Sequence, residues 1–205
     1  PVHVAGSGRT DRGVHALGQV ASCALPASHP PATLLRALNF HLPPGIRILT
    51  VQKAKPKFHA RFSAKGKTYL YRIVNEPFLH PMEIGRAWHV PRPLHLPSMR
   101  QAARLFTGKH DFASFTSNPG YERESTIRRL RSIRIMRKPG SVLELTFDGD
   151  GFLYRMVRNL VGALVKVGHG RLQVSDLQKI LVARSRSTAP PTAPAEGLYL
   201  LSVRY

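Results

Sequence analysis

Residues 126–167 read TIRRLRSIRIMRKPGSVLELTFDGDGFLYRMVRNLVGALVKV, and they set two periodicities side by side. Thr126 to Arg137 and Val142 to Phe147 are rich in aliphatic and β-branched residues and flank Pro139-Gly140, which predicts a β-hairpin. From Phe152 to Val167 the spacing becomes helical, with Met156, Leu160, Val161 and Leu164 forming one buried stripe and Gly168 closing the helix. A hairpin followed directly by an amphipathic helix demands a fold that packs helices against a sheet.

The same reading extends outward. Lys67 to Val74 is a strand with Tyr69, Tyr71 and Ile73 on one face, and Leu198 to Tyr205 is the last strand. Val2 to Ala5, Ala16 to Leu25 and Ile46 to Val51 also read as strands. Pro30-Pro31 opens a helix running through Thr33 to His41, with Leu34, Leu35 and Leu38 on one face, and Pro43-Pro44-Gly45 stops it. Pro97 to Phe106 and Val174 to Ala183 are further helices, the latter capped by Ser175 or a neighbour. Pro77 to Pro97 is irregular, with Ala87 to Val90 extended; Thr116 to Ser125 is a polar loop, and Ser185 to Pro194 a flexible connection. Strands and helices alternate with no internal repeat, so the class is α+β or α/β.

The 205 residues suffice for one large domain or two small ones with real cores, and 42% apolar content argues against disorder. Charge is lopsided. Lys and Arg number 31 against 11 Asp and Glu, a net +20, which points to a polyanion such as nucleic acid. A membrane surface would also attract such a chain, but there is no apolar run long enough to span a bilayer and no signal-peptide pattern, so no membrane partner is expected. The lone cysteine, Cys23, lies in an apolar strand-like run and suits a reducing, cytoplasmic setting as a buried thiol. The ten histidines form no ligand cluster, and Asp148-Gly149-Asp150-Gly151 lacks the remaining ligands of a calcium loop, so a turn is expected and no metal.

Three constellations carry possible chemistry. In Gly8-Arg9-Thr10-Asp11-Arg12-Gly13-Val14-His15 a carboxylate sits between two arginines, with glycines that permit sharp turns and close ligand approach. The flanking arginines favour an ionised Asp11, able to act as nucleophile or base; the same residues also read as a polar turn between strands. In Arg61 to Tyr71, tyrosines behind a basic stretch can stack on a base while cations hold phosphates, or simply pack a sheet face. In Phe152 to Gly162, Arg155 and Arg158 share a helix face, and an arginine at the edge of the apolar stripe can reach a buried carboxylate or remain solvated. The arginines at 128, 129, 131, 134 and 137 do not alternate cleanly with the apolar residues; some must face solvent or phosphate, supplying affinity rather than specificity.

Taken together, Gly6 to Ala16 with Gly18-Gln19-Val20, Phe58 to Ala64 with Lys67 to Tyr71, Asp111 to Phe115, Met156 to Gly162 and Ala195 to Leu200 resemble, in order and over nearly the whole chain, the motifs of the tRNA pseudouridine synthase A family. The resemblance implies an α+β fold with a mixed, mainly antiparallel sheet flanked by helices, in two related α+β halves with a central cleft. The expected division is residues 1–60, carrying the aspartate loop, and residues 61–205, with the tyrosine strand, arginine helix and final strand.

It implies isomerisation of uridine to pseudouridine at positions 38 to 40 of the tRNA anticodon stem-loop, by a homodimer and without a cofactor. Asp11 would be catalytic. Arg158 would pair with it, Tyr69 would lie against the uracil with Leu198 on the other side, and Arg9 would hold the extruded nucleotide or the space it left. Arg12, Arg61, Lys65, Lys67, Arg128, Arg129 and Arg155 would meet RNA. Whether the carboxylate attacks sugar or ring, or removes a sugar proton, is open from sequence.

Family members usually carry a Tyr-Asp-Gly strand and a helix ahead of the aspartate loop. Only ten residues precede Asp11 here, so a shortened N-terminal half is expected, with part of one sheet uncovered. That departure, with the +20 charge, keeps a second reading in view: a catalytically inactive tRNA- or RNA-binding protein of the same fold. A basic ribosomal-type protein is a third, and it would not need the Asp11 loop.

Overall fold

The computed structural model describes residues 2–118, Gly120 and 125–205. By contacts between residues the chain divides into two units: the residues up to Gly8 with Val20–Ser63, and Arg9–Gln19 with Ala64–Tyr205. Asp11 therefore groups with the second unit.

In the first unit, strands β1 (Val4–Gly6) and β3 (Ala21–Cys23) pair antiparallel, Val4 opposite Cys23. Helix α1 (Pro31–His41) starts with proline at its first position, where the missing N–H costs nothing. Leu34 and Leu35 are half-buried, while Leu38 and Phe40 are exposed. Ile46 to Val51 is not a strand. The backbone of Ile48 pairs with the side chain of Asn39 instead: Nδ2 donates to the Ile48 carbonyl and Oδ1 accepts its N–H, both at 2.8 Å. Alternation in sequence cannot distinguish a strand from an extended segment whose groups an amide satisfies. Cys23, expected inside, is exposed, because it stands on the outward side of a strand only three residues long.

The second unit is built on a mixed, mainly antiparallel sheet. Its strands are β2 (His15–Ala16), β4 (Gly66–Val74), β5 (Trp88–His89), β6 (Gly108–Asp111), β7 (Ile127–Arg137), β8 (Val142–Gly149) and β9 (Leu198–Arg204), in the spatial order β2-β9-β4-β8-β7-β6 with β5 beside the end of β4. The β2–β9 and β4–β5 pairs are parallel and the rest antiparallel. The expected strand Ala16 to Leu25 is two strands: Leu17 and Gly18 both donate to the Leu200 carbonyl, at 2.9 and 3.2 Å, where regular pairing with β9 ends, and Ala21–Cys23 pairs with β1 instead.

The β7–β8 hairpin turns at Pro139-Gly140, with Gly140 and Ser141 both at positive φ. Its register shifts between Leu130 and Ser132. That bulge breaks the alternation of the arginines and sends Arg131 to Asp148, where its Nε and Nη2 donate to the two carboxylate oxygens at 3.0 and 3.1 Å. Arg204 meets the same carboxylate, so the 148–151 turn is held by arginines.

Helices α2 (Leu96–Leu105), α3 (Met156–Gly168) and α4 (Val174–Ala183) complete the unit, α2 packing on α3, α4 and β7. The core joins Tyr71, Ile73, Leu145 and Phe147 of the sheet to Met99, Phe106, Phe115, Leu160 and Leu164, all at or near zero exposure. The predicted stripe of α3 is buried, and so are Val157, Asn159, Gly162, Ala163 and Val165, which marks a central helix rather than a surface one. The helix begins at Met156 rather than Phe152, because Arg155 adopts left-handed φ 57°, ψ 11° and cannot continue a helix N-terminally. Helix α4 is capped by Gln173, whose backbone N–H donates to Asp176 at 3.1 Å in a capping box, rather than by Ser175. The segment Ser185 to Pro194, expected as a flexible connection, contains a 3₁₀ turn and several fixed contacts. Of the loop Thr116 to Ser125, residues 119 and 121–124 lie outside the described residues.

Candidate active site

The Asp11 loop ends in a turn closed by a hydrogen bond from the Val14 N–H to the Asp11 carbonyl at 3.0 Å. Gly13 supplies the φ of 82° that this turn requires. The loop is then pinned to the sheet. His15 and Ala16 run beside Tyr199 and Leu200, the His15 ring stacks on Tyr199 at 4.6 Å, and its Nε2 is 2.8 Å from the Gly85 carbonyl. Tyr199 in turn donates its hydroxyl to the Arg86 carbonyl at 2.6 Å.

The pinned loop presents Asp11 to the start of α3. Asp11 Oδ2 accepts a hydrogen bond from Arg158 Nη1 at 3.2 Å, across 147 residues of chain. Arg155 Nε stands 3.7 Å from the same oxygen, an ionic contact beyond hydrogen-bonding reach. The two cations are held differently. Arg158 is 13% exposed at its side chain, and its Nε donates to the Ala193 carbonyl at 2.8 Å. Arg155 is 41% exposed, and its guanidinium lies over the Tyr154 ring at 4.9 Å. Arg158 is thus the fixed partner and Arg155 the loose one. Asp11 itself is 24% exposed, open enough to meet a substrate and sheltered enough that solvent does not fully screen its neighbours.

Tyr69 lies on β4, opposite Phe147 on one side and Leu200 on the other, its ring edge-on to Phe152 at 4.9 Å. Burial, and then the negative charge of Asp11, push its phenol up to about 12. At neutral pH Tyr69 is therefore a neutral O–H donor with an aromatic face, not a phenolate. Tyr71, two residues on, is fully buried and donates to the Pro194 carbonyl at 2.8 Å; burial raises its phenol further, with Glu196 adding to the rise and Arg158 opposing it.

The structure brings Asp11, Arg155 and Arg158 into contact and sets Tyr69 within electrostatic reach of them. Leu198, 7% exposed, is part of the main apolar cluster, opposite Tyr71. Arg9 and Arg12 are exposed on the aspartate loop. Lys65 is exposed, and Lys67 half-buried, at the start of β4. Arg129 is exposed on β7, and Arg128 bends back so that its Nη1 donates to the carbonyls of Ser125 and Ile127. Arg61 belongs to the first unit, exposed, beside the Phe62 ring at 5.7 Å.

Two features of the site were not legible locally. Phe152 looked like the first turn of a helix, yet it walls Tyr69. The backbone of Ala193 orients Arg158 from 35 residues away, and no side chain signals it.

The profile of the tRNA pseudouridine synthase family matches residues 1–63 and 102–205. The tRNA pseudouridine synthase A of Methylacidiphilum infernorum is 49% identical over 205 residues, covering all of this chain and 80% of that protein. That of Limosilactobacillus fermentum is 42% identical over 207 residues, with 100% and 80% covered, and that of Rhodospirillum rubrum 43% over 203 residues, with 98% and 72% covered. With a carboxylate, an arginine and a tyrosine assembled from three motifs in family order, and with this identity along its whole length, the chain belongs to the tRNA pseudouridine synthase A family of isomerases.

Proposed function

We propose that this chain converts uridine to pseudouridine in the anticodon stem-loop of tRNA, at positions 38 to 40. The observation that carries the reading is the meeting of Asp11 and Arg158, 147 residues apart in sequence, beside a neutral tyrosine. The reaction is an isomerisation that breaks the N1–C1′ bond, turns the uracil and joins C5 to C1′; a proton leaves C5 and one is gained at N1. Asp11 supplies the reacting carboxylate. Arg158 orients it, since a guanidinium fixed through Nε to a backbone carbonyl has a defined direction left for Nη1. Tyr69 offers a flat apolar wall to the flipped base with Leu198 on the base's other side, and Arg9 holds the extruded nucleotide or the space it leaves.

A base leaves its stack at a cost of a few kcal/mol. The net +20 charge supplies the phosphate contacts that offset it, with Arg12, Arg61, Lys65, Lys67, Arg128, Arg129 and Arg155 as the contributing cations. We assign the working form to a cytoplasmic homodimer, each chain dividing in sequence into residues 1–60 and 61–205, with the aspartate loop of the first part grouped by its contacts with the second unit. Among the described residues no helix is long and apolar enough to cross a membrane.

The test is conversion of an unmodified tRNA transcript bearing uridine at 38, 39 and 40, with single cytidine replacements to map the sites. The wild type is expected to convert at least one of them. Asp11→Ala should abolish conversion and leave tRNA affinity within a few-fold. A wild type that binds tRNA and converts nothing would remove the enzyme reading.

A further inference from the structure

Helix α3 carries more buried polarity than its packing needs. Asn159 is fully buried one residue after Arg158, and all its polar atoms are used: Nδ2 donates to the Phe115 carbonyl at 2.9 Å, while Oδ1 accepts from Thr192 Oγ1 at 2.6 Å and Arg186 Nη2 at 3.3 Å. Arg186 also donates to Thr192 Oγ1 at 3.2 Å and, through Nη1, to the Ala189 carbonyl at 2.9 Å. Three side chains thus tie the start and the end of the 186–192 segment to one point on the helix. One turn along, the same segment lies directly on Gly162, where a Cβ would run into the Pro191 carbonyl. Immediately after, Ala193 makes two bonds to Arg158: its N–H to the Arg158 carbonyl at 3.1 Å, and its carbonyl to Arg158 Nε at 2.8 Å.

A core helix would be served as well by an apolar residue at position 159, since a satisfied buried network adds little stability over good packing. What the network adds is direction. It sets the height of the segment over the helix and so the position of the Ala193 carbonyl, which among the described residues holds the Nε side of the guanidinium whose other edge meets Asp11.

We propose that residues 186–193 form a strap that aims Arg158 at Asp11, with Thr192 and Arg186 as positioning residues acting through Asn159. This deepens the functional reading above and rests on it. The strap touches no substrate; it fixes the angle of a guanidinium. A displacement of the order of 1 Å at a reacting group costs up to about a hundredfold in rate.

The test compares wild type, Thr192→Val, Thr192→Ser and Gly162→Ala in single-turnover conversion of the unmodified tRNA transcript, together with tRNA affinity and thermal unfolding. Thr192→Val keeps the shape and removes the hydroxyl; Gly162→Ala pushes the segment outward at Pro191 while leaving every polar side chain of the network present. Both are expected to slow the chemical step roughly tenfold or more, with tRNA Kd within twofold, and Thr192→Ser is expected to restore the rate. If wild type converts uridine and Thr192→Val and Gly162→Ala do so equally fast, the strap is wrong and the enzyme reading stands. Parallel losses of rate, affinity and Tm, not rescued by serine, would make the network merely structural and also overturn the proposal. A wild type without conversion overturns both readings.

Discussion

Arg155 is a non-glycine residue held in the left-handed region immediately before α3, where an L side chain costs about 1–2 kcal/mol. The turn that puts it there is closed by the Met156 N–H on the Leu153 carbonyl at 3.1 Å, and the Tyr154 carbonyl is taken by Thr116 Oγ1 and the Ser117 N–H. Its product is a second cation beside Asp11. Glycine at this position would relieve the strain, and alanine would keep it. We therefore expect Arg155→Gly to unfold at higher temperature than Arg155→Ala, by about 1 kcal/mol in stability, while both lose conversion rate to a similar degree. Equal stabilities would mean that the backbone is not strained at this point.

Tyr69 makes a prediction of a different kind. Its phenol is raised to about 12 in the folded protein against an unfolded value of 10.0. A raised value means that the folded state prefers the neutral form, so the contribution to stability is complete below pH 10 and is lost as pH rises toward 12. Thermal unfolding should be insensitive to this group at neutral pH and should fall between pH 10 and 12. Tyr69→Phe should flatten part of that fall, with Tyr71 and Tyr205, whose phenols burial also raises, contributing to the remainder. An unchanged slope in Tyr69→Phe would assign the whole effect elsewhere.

At the scale of elements, Asn39 does the work that a neighbouring strand would do for residues 46–51. Both backbone groups of Ile48 depend on one side-chain amide. Removing it leaves a part-buried donor and acceptor unpaired, which costs about 1–3 kcal/mol. Asn39→Ala should therefore destabilise the first unit by that amount, read by urea unfolding. It should also speed hydrogen exchange at the Ile48 amide specifically, with the β7–β8 hairpin unaffected. The bulge at Arg131 is the comparable device in the second unit: one unpaired residue redirects a guanidinium onto Asp148 and holds the turn before α3.

For the whole molecule the decisive quantity is charge. With 31 cationic side chains against 11 acidic ones, and with Asp11, Glu83, Asp111 and Asp148 already paired to arginines, the field favours any polyphosphate and falls with salt. The logarithm of tRNA affinity should fall linearly with the logarithm of salt concentration. Arg129→Ala, at an exposed position that makes no hydrogen bond or ion pair with Asp11 among the described residues, should lower the slope by about 1 and leave the chemical rate on bound tRNA unchanged. A slope that does not move would take Arg129 out of the RNA contact.

The hairpin at 127–149, the tyrosine-bearing strand at 66–74 and the buried helix at 156–168 were determined by the chain alone, because side-chain periodicity reports directly which face of an element must be dry. Family membership was legible for a related reason: glycines, arginines and an aspartate at fixed spacings survive as pattern. Tertiary structure decided the geometry of the contacts. The 3.2 Å bond by which Arg158 meets Asp11, a pairing that the family resemblance implies, the division of residues 16–25 between two partners and the attachment of 186–193 to Asn159 all join positions far apart in sequence, while the left-handed turn at Arg155 is local but carries no signal in residue type. Periodicity is a local property; a carboxylate finds its guanidinium only once the strands have chosen their order, and that choice belongs to packing of the whole sheet and its helices.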